Sequence, residues 1–357
     1  MTMADARVEA AVANWAPRFV SQGVDYNDFA GTTARIDRWE EWLPAWSETA
    51  ALHAGLGAEA AALGNRLTAG EAYVRAALCY HFAKFVWLVD VALHRRTTQL
   101  AISSLYEAHR YLDPSAERVV IPFEGASLVG NLRRPAGGRA APLVVLVPGL
   151  DSTKEEFFNW ENVFLARGMA TFSFDGPGQG ESGFSTHIRS DYEVAVAAAL
   201  EALAGREDIA VNRVGLVGVS LGGYYAPRVA AFEPRVSAVA TVGGVYDFGA
   251  CWPGLPQITR ETFMHHSGSA DEDEGRAAAA GLTLVGVAEK IQQPLLVVFG
   301  KLDRLIPFEQ AERLAREARH AELVMYPEGN HVCNNIPYKY RPLVSDWMAA
   351  RLVAPET

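Results

Sequence analysis

Along the first 115 residues, apolar side chains recur every three or four positions, a spacing that predicts α-helices. The predicted helices are residues 5–19, 33–63, 68 onward and 91–111. Pro44 is expected to bend or split the second helix, and Thr68 followed by Glu71 predicts a capping box that opens the third. No strand pattern occurs here, so residues 1–115 are predicted to form a separate all-helical domain.

From residue 117 the pattern changes to short apolar runs. Residues 118–123 and 126–132 flank Glu124 and Gly125, which predicts a β-hairpin. After residue 143, continuous apolar runs alternate with amphipathic stretches. The predicted strands are residues 143–147, 170–174, 214–217, 236–242, 295–299 and 322–326. This alternation predicts an α/β domain over residues 116–357, with a mostly parallel sheet covered by helices on both faces.

One segment interrupts the alternation. Residues 245–289 separate two predicted strands by far more than a crossover requires, which favours an insertion, here a helical lid over the site. The acidic residues 271–274 are interpreted as solvated surface. His265 and His266 are interpreted as lid packing or surface residues.

A serine between glycines carries the strongest chemical signal. Gly218, Ser220 and Gly222 form a G-x-S-x-G pattern between a predicted strand and a predicted helix. In that context the chain turns sharply and lifts the serine Oγ above the sheet edge, while a side chain at either glycine would collide with its neighbours. The helix also directs its N-terminal N–H groups at the site. Ser220 is therefore the candidate nucleophile.

A serine nucleophile needs a base, and the base needs an orienting carboxylate. In α/β domains with this G-x-S-x-G turn, the three residues follow along the chain in the order Ser, Asp, His. Asp303 follows the predicted strand 295–299, and His331 follows the predicted strand 322–326. Parallel strands place their carboxyl ends at one edge of a sheet. The sequence therefore predicts a triad of Ser220, Asp303 and His331.

Two backbone N–H groups are expected to form an oxyanion hole. One belongs to Leu221, directly after the nucleophile. The other should come from the loop after the strand at 143–147, and we assign it to Leu150, with Gly149 as the alternative. The glycine-rich residues 175–182 lack the G-K-[ST] ending and the G-x-G-x-x-G spacing of phosphate loops, so we interpret them as a structural turn near the pocket.

Composition narrows the function classes. The chain has 357 residues, 50% hydrophobic and 21% charged, with a formal net charge of −10. An acidic chain without a basic cluster argues against nucleic acid or an anionic membrane as a partner. Residues 1–7 show no signal-peptide pattern and no apolar run is long enough to span a bilayer. Three scattered cysteines favour the cytoplasm, and no C-x-x-C or H-E-x-x-H pattern supports a metal or other cofactor.

These features together resemble the α/β-hydrolase family over about residues 117–357. Four segments narrow the resemblance to the subgroup that contains 2,6-dihydroxypseudooxynicotine hydrolase, related carboxylesterases and polyketide-shortening hydrolases: residues 26–29, 38–39, 148–156 and 174–181. The resemblance implies hydrolysis of a carbon–carbon bond between an aromatic ring and a side-chain ketone. It also implies a homodimer, a site between the two domains and an extra acidic residue in the lid, for which Asp247 is the nearest candidate.

Three functional hypotheses remain open from the sequence. A C–C hydrolase acting on a small aromatic ketone requires a proton for the departing carbon, from Asp247, Tyr80 or His81, of which the last two are more typical of helix packing. A carboxylesterase acting on small esters uses the same triad and needs no extra acid. A non-enzymatic binding protein with this fold is disfavoured because Ser220, Asp303 and His331 are all present.

Overall fold

A computed structural model describes residues 5–137 and 140–353. Residues 1–4 of the stretch searched for a signal-peptide pattern, residues 138–139 and residues 354–357 lie outside the described part. The chain divides into two compact units, Met1–Ala116 with Glu155–Asn159, and Glu117–Lys154 with Trp160–Thr357. Each unit is described by itself.

The first unit is built from helices. They are α1 (Ala6–Gln22), α2 (Tyr26–Thr33), α3 (Trp42–Ala62), α4 (Arg66–Lys84) and α5 (Val91–Leu112), with a short 3₁₀ turn at Trp39–Glu41. Aspartates cap three of the helices, because the side chains of Asp5, Asp25 and Asp90 accept hydrogen bonds from backbone N–H groups of the first turns of α1, α2 and α5.

Two local predictions in this unit were wrong. The predicted helix over residues 33–63 is divided before Trp42, and Pro44 does not bend it, because the residue lies in the first turn of α3, where no helical N–H partner is lost. The predicted capping box at Thr68 is absent from the described structure, since α4 begins at Arg66 after Asn65 and Thr68 lies inside the helix.

Aromatic side chains fill the core of the first unit. Trp42 is fully buried, and its indole Nε1 donates a hydrogen bond of 3.0 Å to the carbonyl oxygen of Phe82. Phe19 stacks on Phe82 with ring centroids 3.9 Å apart. Trp39 is also buried, whereas Tyr26 is 65% exposed. Trp39 and Trp42 are therefore core residues of this unit.

The second unit contains an eight-stranded sheet in the order β1-β2-β4-β3-β5-β6-β7-β8. The strands are β1 (Glu117–Phe123), β2 (Ala126–Arg133), β3 (Ala141–Val147), β4 (Ala170–Asp175), β5 (Ile209–Val219), β6 (Val236–Val242), β7 (Leu295–Gly300) and β8 (Ala321–Tyr326). Strands β1 and β2 pair antiparallel as the predicted hairpin, β2 pairs antiparallel with β4, and every later pairing is parallel. The predicted mostly parallel sheet is confirmed.

Helices cover both faces of this sheet. The remaining helices are α6 (Phe158–Leu165), α7 (Glu193–Ala202), α8 (Gly222–Phe232), α9 (Phe248–Cys251), α10 (Gln257–Ser267), α11 (Glu272–Ala280), α12 (Glu309–Glu317) and α13 (Pro337–Leu352). A Cβ added at Gly215 would meet Met348 of α13, whereas one added at Gly218 would meet Ala226 of α8. Residues 215 and 218 point to opposite faces of β5, so α8 and α13 lie on opposite sides.

The insertion between β6 and β7 is largely helical, as predicted, and holds α9, α10 and α11. Phe263 of α10 and Trp252 pack edge to face within it, with ring centroids 5.6 Å apart. Across the described residues, no helix combines the length and the apolar character needed to cross a membrane.

Candidate active site

The turn between β5 and α8 holds Ser220 in a left-handed backbone conformation, with a φ of 54°. Such a conformation is strained for a residue with a side chain. The backbone passes so closely here that a Cβ at Gly218 would lie 2.0 Å from the Gly222 carbonyl oxygen, and a Cβ at Gly222 would lie 2.2 Å from that of Val147. Both positions therefore require glycine, and the tight turn presents Ser220 at the carboxyl end of β5.

Three side chains meet at this edge of the sheet. His331 Nε2 lies 2.9 Å from Ser220 Oγ, and His331 Nδ1 lies 2.7 Å from Asp303 Oδ2. The Asp303 side chain is 1% exposed, whereas that of His331 is 21% exposed. When Nδ1 carries its proton toward the carboxylate, Nε2 is free to accept the hydroxyl proton of Ser220.

The loops after β7 and β8 bring Asp303 and His331 together. A Cβ at Gly300 would lie 2.3 Å from the carbonyl oxygen of Gly329, so the two loop backbones are nearly in contact. The N–H of Leu302 donates to that same carbonyl at 2.8 Å. Adjacent parallel strands thus deliver the acid and the base to one point, and glycines at both loop starts allow the close approach.

The Asp303 side chain is fixed by the backbone of the turn that follows it as well as by His331. Its Oδ1 accepts hydrogen bonds from the N–H groups of Leu305 at 2.8 Å and Ile306 at 3.0 Å. These bonds leave Oδ2 directed at the histidine. The carboxylate is therefore held in one orientation before any substrate binds.

The backbone after His331 is strained. Val332 and Cys333 both adopt left-handed conformations, with φ values of 57° and 54°. This region is rare for β-branched residues such as valine. A Cβ at Gly243 would lie 2.8 Å from the Val332 backbone nitrogen, so the turn is packed against the end of β6. Sequence reasoning missed this support, because no residue preference signals a left-handed valine.

The backbone at the candidate oxyanion hole is close to the serine. A Cβ at Gly149 would lie 3.0 Å from Ser220 Cβ and 3.4 Å from its Oγ. In the described part of the chain, the N–H groups of Leu150 and Leu221 donate to no protein acceptor. Both residues are buried. Buried N–H groups without a partner are costly, which is the state expected of donors reserved for a ligand oxygen.

Asp247 serves as the N-cap of α9. Its Oδ1 accepts from the N–H of Ala250 at 3.0 Å, and its Oδ2 accepts from the hydroxyl of Thr283 at 3.2 Å. Nearby Cys251 donates to the carbonyl oxygen of Asp247, and burial raises the pKa of its thiol to about 12. The Asp247 carboxylate is thus engaged as an acceptor on both oxygens.

The other two proton-donor candidates, Tyr80 and His81, lie in α4 and belong to the first unit, where both are buried. His81 Nε2 lies 3.1 Å from Glu156 Oε2, and that carboxylate also accepts from the Arg18 guanidinium at 2.8 Å. Burial would raise the pKa of Glu156, but Arg18 and His81 hold it well below its usual range. The same burial, with Lys84 nearby, lowers the pKa of His81.

Comparisons with known proteins agree with this architecture. A family profile described as FrsA-like esterase matches residues 25–352. A relative from Paenarthrobacter nicotinovorans, 2,6-dihydropseudooxynicotine hydrolase, is 35% identical over 352 residues, covering 97% of this chain and 94% of its own. The crystal structure of 2,6-dihydroxy-pseudo-oxynicotine hydrolase has a TM-score of 0.87 at 34% identity, covering 96% of this chain and 97% of its own. The AbyA5 structure, at 18% identity and a TM-score of 0.75, covers 97% and 98% and shows the shared fold.

Proposed function

The chain belongs to the FrsA-like esterase family of α/β hydrolases, and on that premise we propose that it is a serine hydrolase in which Ser220 is the nucleophile, His331 the base and Asp303 the orienting acid. The observation that carries the proposal is the unbroken chain of contacts from Asp303 Oδ2 through His331 to Ser220 Oγ, with distances of 2.7 and 2.9 Å. The N–H groups of Leu150 and Leu221 stabilise the oxyanion.

The reaction proceeds in two balanced stages. His331 Nε2 takes the Ser220 hydroxyl proton as Oγ bonds to the substrate carbonyl carbon, and the carbonyl oxygen becomes the oxyanion. The intermediate then collapses, the bond to the leaving group breaks, and that group takes the proton held at Nε2. Water attacks the remaining acyl-enzyme, Nε2 accepts its proton and returns it to Ser220 Oγ, and a carboxylic acid is released.

For the bond that is cleaved, we propose a carbon–carbon bond between a hydroxylated aromatic ring, or an enol carbon, and a side-chain ketone. The support is the identity of 35% across 97% of the chain with 2,6-dihydropseudooxynicotine hydrolase. In this version the electron pair of the broken bond passes to the ring carbon. Hydroxyl groups on the ring stabilise that charge, and the proton held at His331 Nε2, or one from an auxiliary acid, replaces the acyl group on the ring carbon.

Ester hydrolysis is the second candidate, and one observation favours it. The resemblance implies an auxiliary acid, besides His331, for a departing ring carbon, yet both oxygens of its candidate Asp247 accept hydrogen bonds, as a carboxylate does. An alkoxide or phenolate leaves without an additional acid. The matching family description also names an esterase.

A side-by-side turnover assay separates the candidates. The purified protein is given a dihydroxyphenyl alkyl ketone and a p-nitrophenyl short-chain ester, with Ser220→Ala as the control on both. Fast ketone cleavage that Ser220→Ala abolishes would support the carbon–carbon hydrolase, and fast ester hydrolysis with an unreacted ketone would support the esterase. Turnover unaffected by Ser220→Ala would refute both.

The role of Asp247 is tested in the same assay. Asn in place of Asp247 retains an oxygen that can accept from the N–H of Ala250, so the cap of α9 is preserved. Loss of ketone cleavage with unchanged ester hydrolysis would identify Asp247 as the auxiliary acid. If Asp247→Asn matched the wild-type rate on each substrate, Asp247 would be a helix cap and not an acid. The homodimer implied by the resemblance and the cytoplasmic location predicted from the cysteines remain predictions.

A further inference from the structure

Gln179, in the glycine-rich segment after β4, is 1% exposed and uses all of its hydrogen-bonding groups. Its Nε2 donates to the carbonyl oxygens of Pro148 at 2.7 Å and Gly149 at 3.1 Å. Its Oε1 accepts from the N–H of Gly176 at 2.9 Å and the hydroxyl of Tyr192 at 2.7 Å. A glutamine amide has two donor hydrogens and one acceptor oxygen, so its orientation is fixed by these four bonds.

The two carbonyls held by Gln179 belong to the loop that follows β3. No described peptide bond is cis, and in a trans peptide group the C=O and the N–H point in opposite directions. The carbonyl of Gly149 and the N–H of Leu150 are parts of one such planar group. By fixing the direction of that carbonyl, Gln179 also fixes the direction of the Leu150 N–H.

This peptide group lies beside the nucleophile. A Cβ at Gly149 would be 3.4 Å from Ser220 Oγ, and the N–H of Leu150 has no acceptor within the described chain. We propose that Gln179 is a positioning residue that aims the N–H of Leu150 at the oxyanion formed on the substrate. The inference rests on the proposed serine-hydrolase function and adds a residue that does not itself contact the substrate.

A second bond network holds the far end of the same loop. Lys154 donates its backbone N–H to Asp175 Oδ1 at 2.9 Å, and its ammonium lies 2.8 Å from Asp175 Oδ2. Asp175 ends β4, four residues before Gln179. A Cβ at Gly180 would lie 2.0 Å from Asp175 Oδ2, so glycine is required where the segment folds over this carboxylate. Asp175 at the end of β4 and Gln179 after it thus hold both ends of the loop that follows β3.

The substitution Gln179→Glu tests the donor role directly. The new carboxylate keeps an oxygen that accepts from Gly176 and Tyr192, but its second oxygen faces the two loop carbonyls and repels them. Loss of one oxyanion donor costs about 10²–10³ in kcat. We expect kcat to fall by at least about tenfold, with KM changed by less than about threefold, because only the transition state uses the Leu150 N–H.

A transition-state mimic provides a readout that general destabilisation would not move. Phenyl trifluoromethyl ketone forms an oxyanion adduct with a serine nucleophile, so its inhibition constant should rise in parallel with the loss in kcat. The ratio of the variant's kcat to that of the wild type at the same pH should also rise toward acidic pH, because a protonated carboxyl at position 179 regains one O–H donor. The matched control is Gln310→Glu. Oε1 of Gln310 accepts hydrogen bonds from the backbone N–H groups of Tyr246 and Asp247, and a carboxylate oxygen can accept the same bonds.

Two variants distinguish a failed positioning role for Gln179 from a failed serine-hydrolase function. If Ser220→Ala abolishes turnover while Gln179→Glu keeps kcat within about threefold of the wild type, the positioning role is refuted and the proposed function stands. A loss in kcat without weaker trifluoromethyl ketone binding also refutes it. If Ser220→Ala leaves turnover intact, the proposed function itself fails. Should Gln179→Glu not fold, Gln179→Asn replaces it, because its amide is too short to reach both carbonyls, and the same split is expected.

Discussion

The substitution Asp303→Asn should remove most of the activity without disturbing the fold. Asp303 Oδ1 accepts from the N–H groups of Leu305 and Ile306, and an asparagine oxygen can take over both bonds. The new amide nitrogen then occupies the position of Oδ2, 2.7 Å from His331 Nδ1. Since that nitrogen only donates, Nδ1 must become the acceptor and the ring proton moves to Nε2.

A proton at Nε2 blocks the contact of 2.9 Å through which Ser220 would be deprotonated. A histidine held in the wrong tautomer in this way lowers kcat by about 10⁴ in serine hydrolases. The same substitution should change the free energy of unfolding by less than about 1 kcal/mol, because the capping bonds survive. Activity and stability are therefore expected to separate.

The assay compares kcat of Asp303→Asn with that of Asp271→Asn on the substrate that the wild type turns over. Asp271 is a matched control, because its Oδ1 accepts from the N–H groups two and three residues ahead, as that of Asp303 does, and no histidine among the described residues pairs with it. Urea unfolding of both variants gives their stabilities. If Asp303→Asn kept a tenth of the wild-type kcat or more, the orienting role derived from the geometry would be incorrect.

Three further predictions concern stability. Glu156→Gln should lower the free energy of unfolding by about 3–5 kcal/mol, because it breaks a buried ion pair with Arg18. The control Glu48→Gln, in an exposed pair, should lower it by less than about 1 kcal/mol. Urea unfolding followed by tryptophan fluorescence measures both, and equal losses would show that burial of the pair does not matter. Because the pKa of Glu156 in the folded protein lies below its usual 4.5, its contribution to stability should be fully present above pH 4.5 and be lost as the pH falls further. If the free energy of unfolding fell with pH equally steeply in the wild type and in Glu156→Gln, this prediction would be wrong. Gly218→Ala should destabilise the fold by about 2 kcal/mol or more, since the added Cβ would lie 2.0 Å from a backbone oxygen. Gly254→Ala should be near neutral, because no described atom lies near the added Cβ. Equal thermal unfolding temperatures for the two variants would refute the steric reason.

The sequence was sufficient for the parts of the site that depend on local pattern and on strand order. Gly218 and Gly222 mark the turn around Ser220, and parallel strands place Asp303 and His331 at one edge whatever the details of packing. These signals also predict the sheet and its helical cover. They do not by themselves establish catalysis, so the role of each triad residue stays a prediction.

The parts that the sequence did not reveal depend on contacts between distant segments. Gln179 lies about thirty residues from the carbonyls that it holds, and its segment reads only as a glycine-rich turn. Val332 adopts a conformation that its side chain disfavours, in a turn packed against the distant Gly243. The start of α4 was misplaced because Thr68 and Glu71 fit a capping pattern that also occurs inside helices.

Intact-protein mass spectrometry after treatment with a fluorophosphonate would show whether Ser220 is the nucleophile that forms a covalent intermediate. We expect one adduct per chain, mapped to Ser220 by peptide sequencing, with none on Ser220→Ala and a much slower reaction for His331→Ala, because the base that activates the hydroxyl is gone. Labelling at another residue, or equal labelling of Ser220→Ala, would show that Ser220 is not that nucleophile.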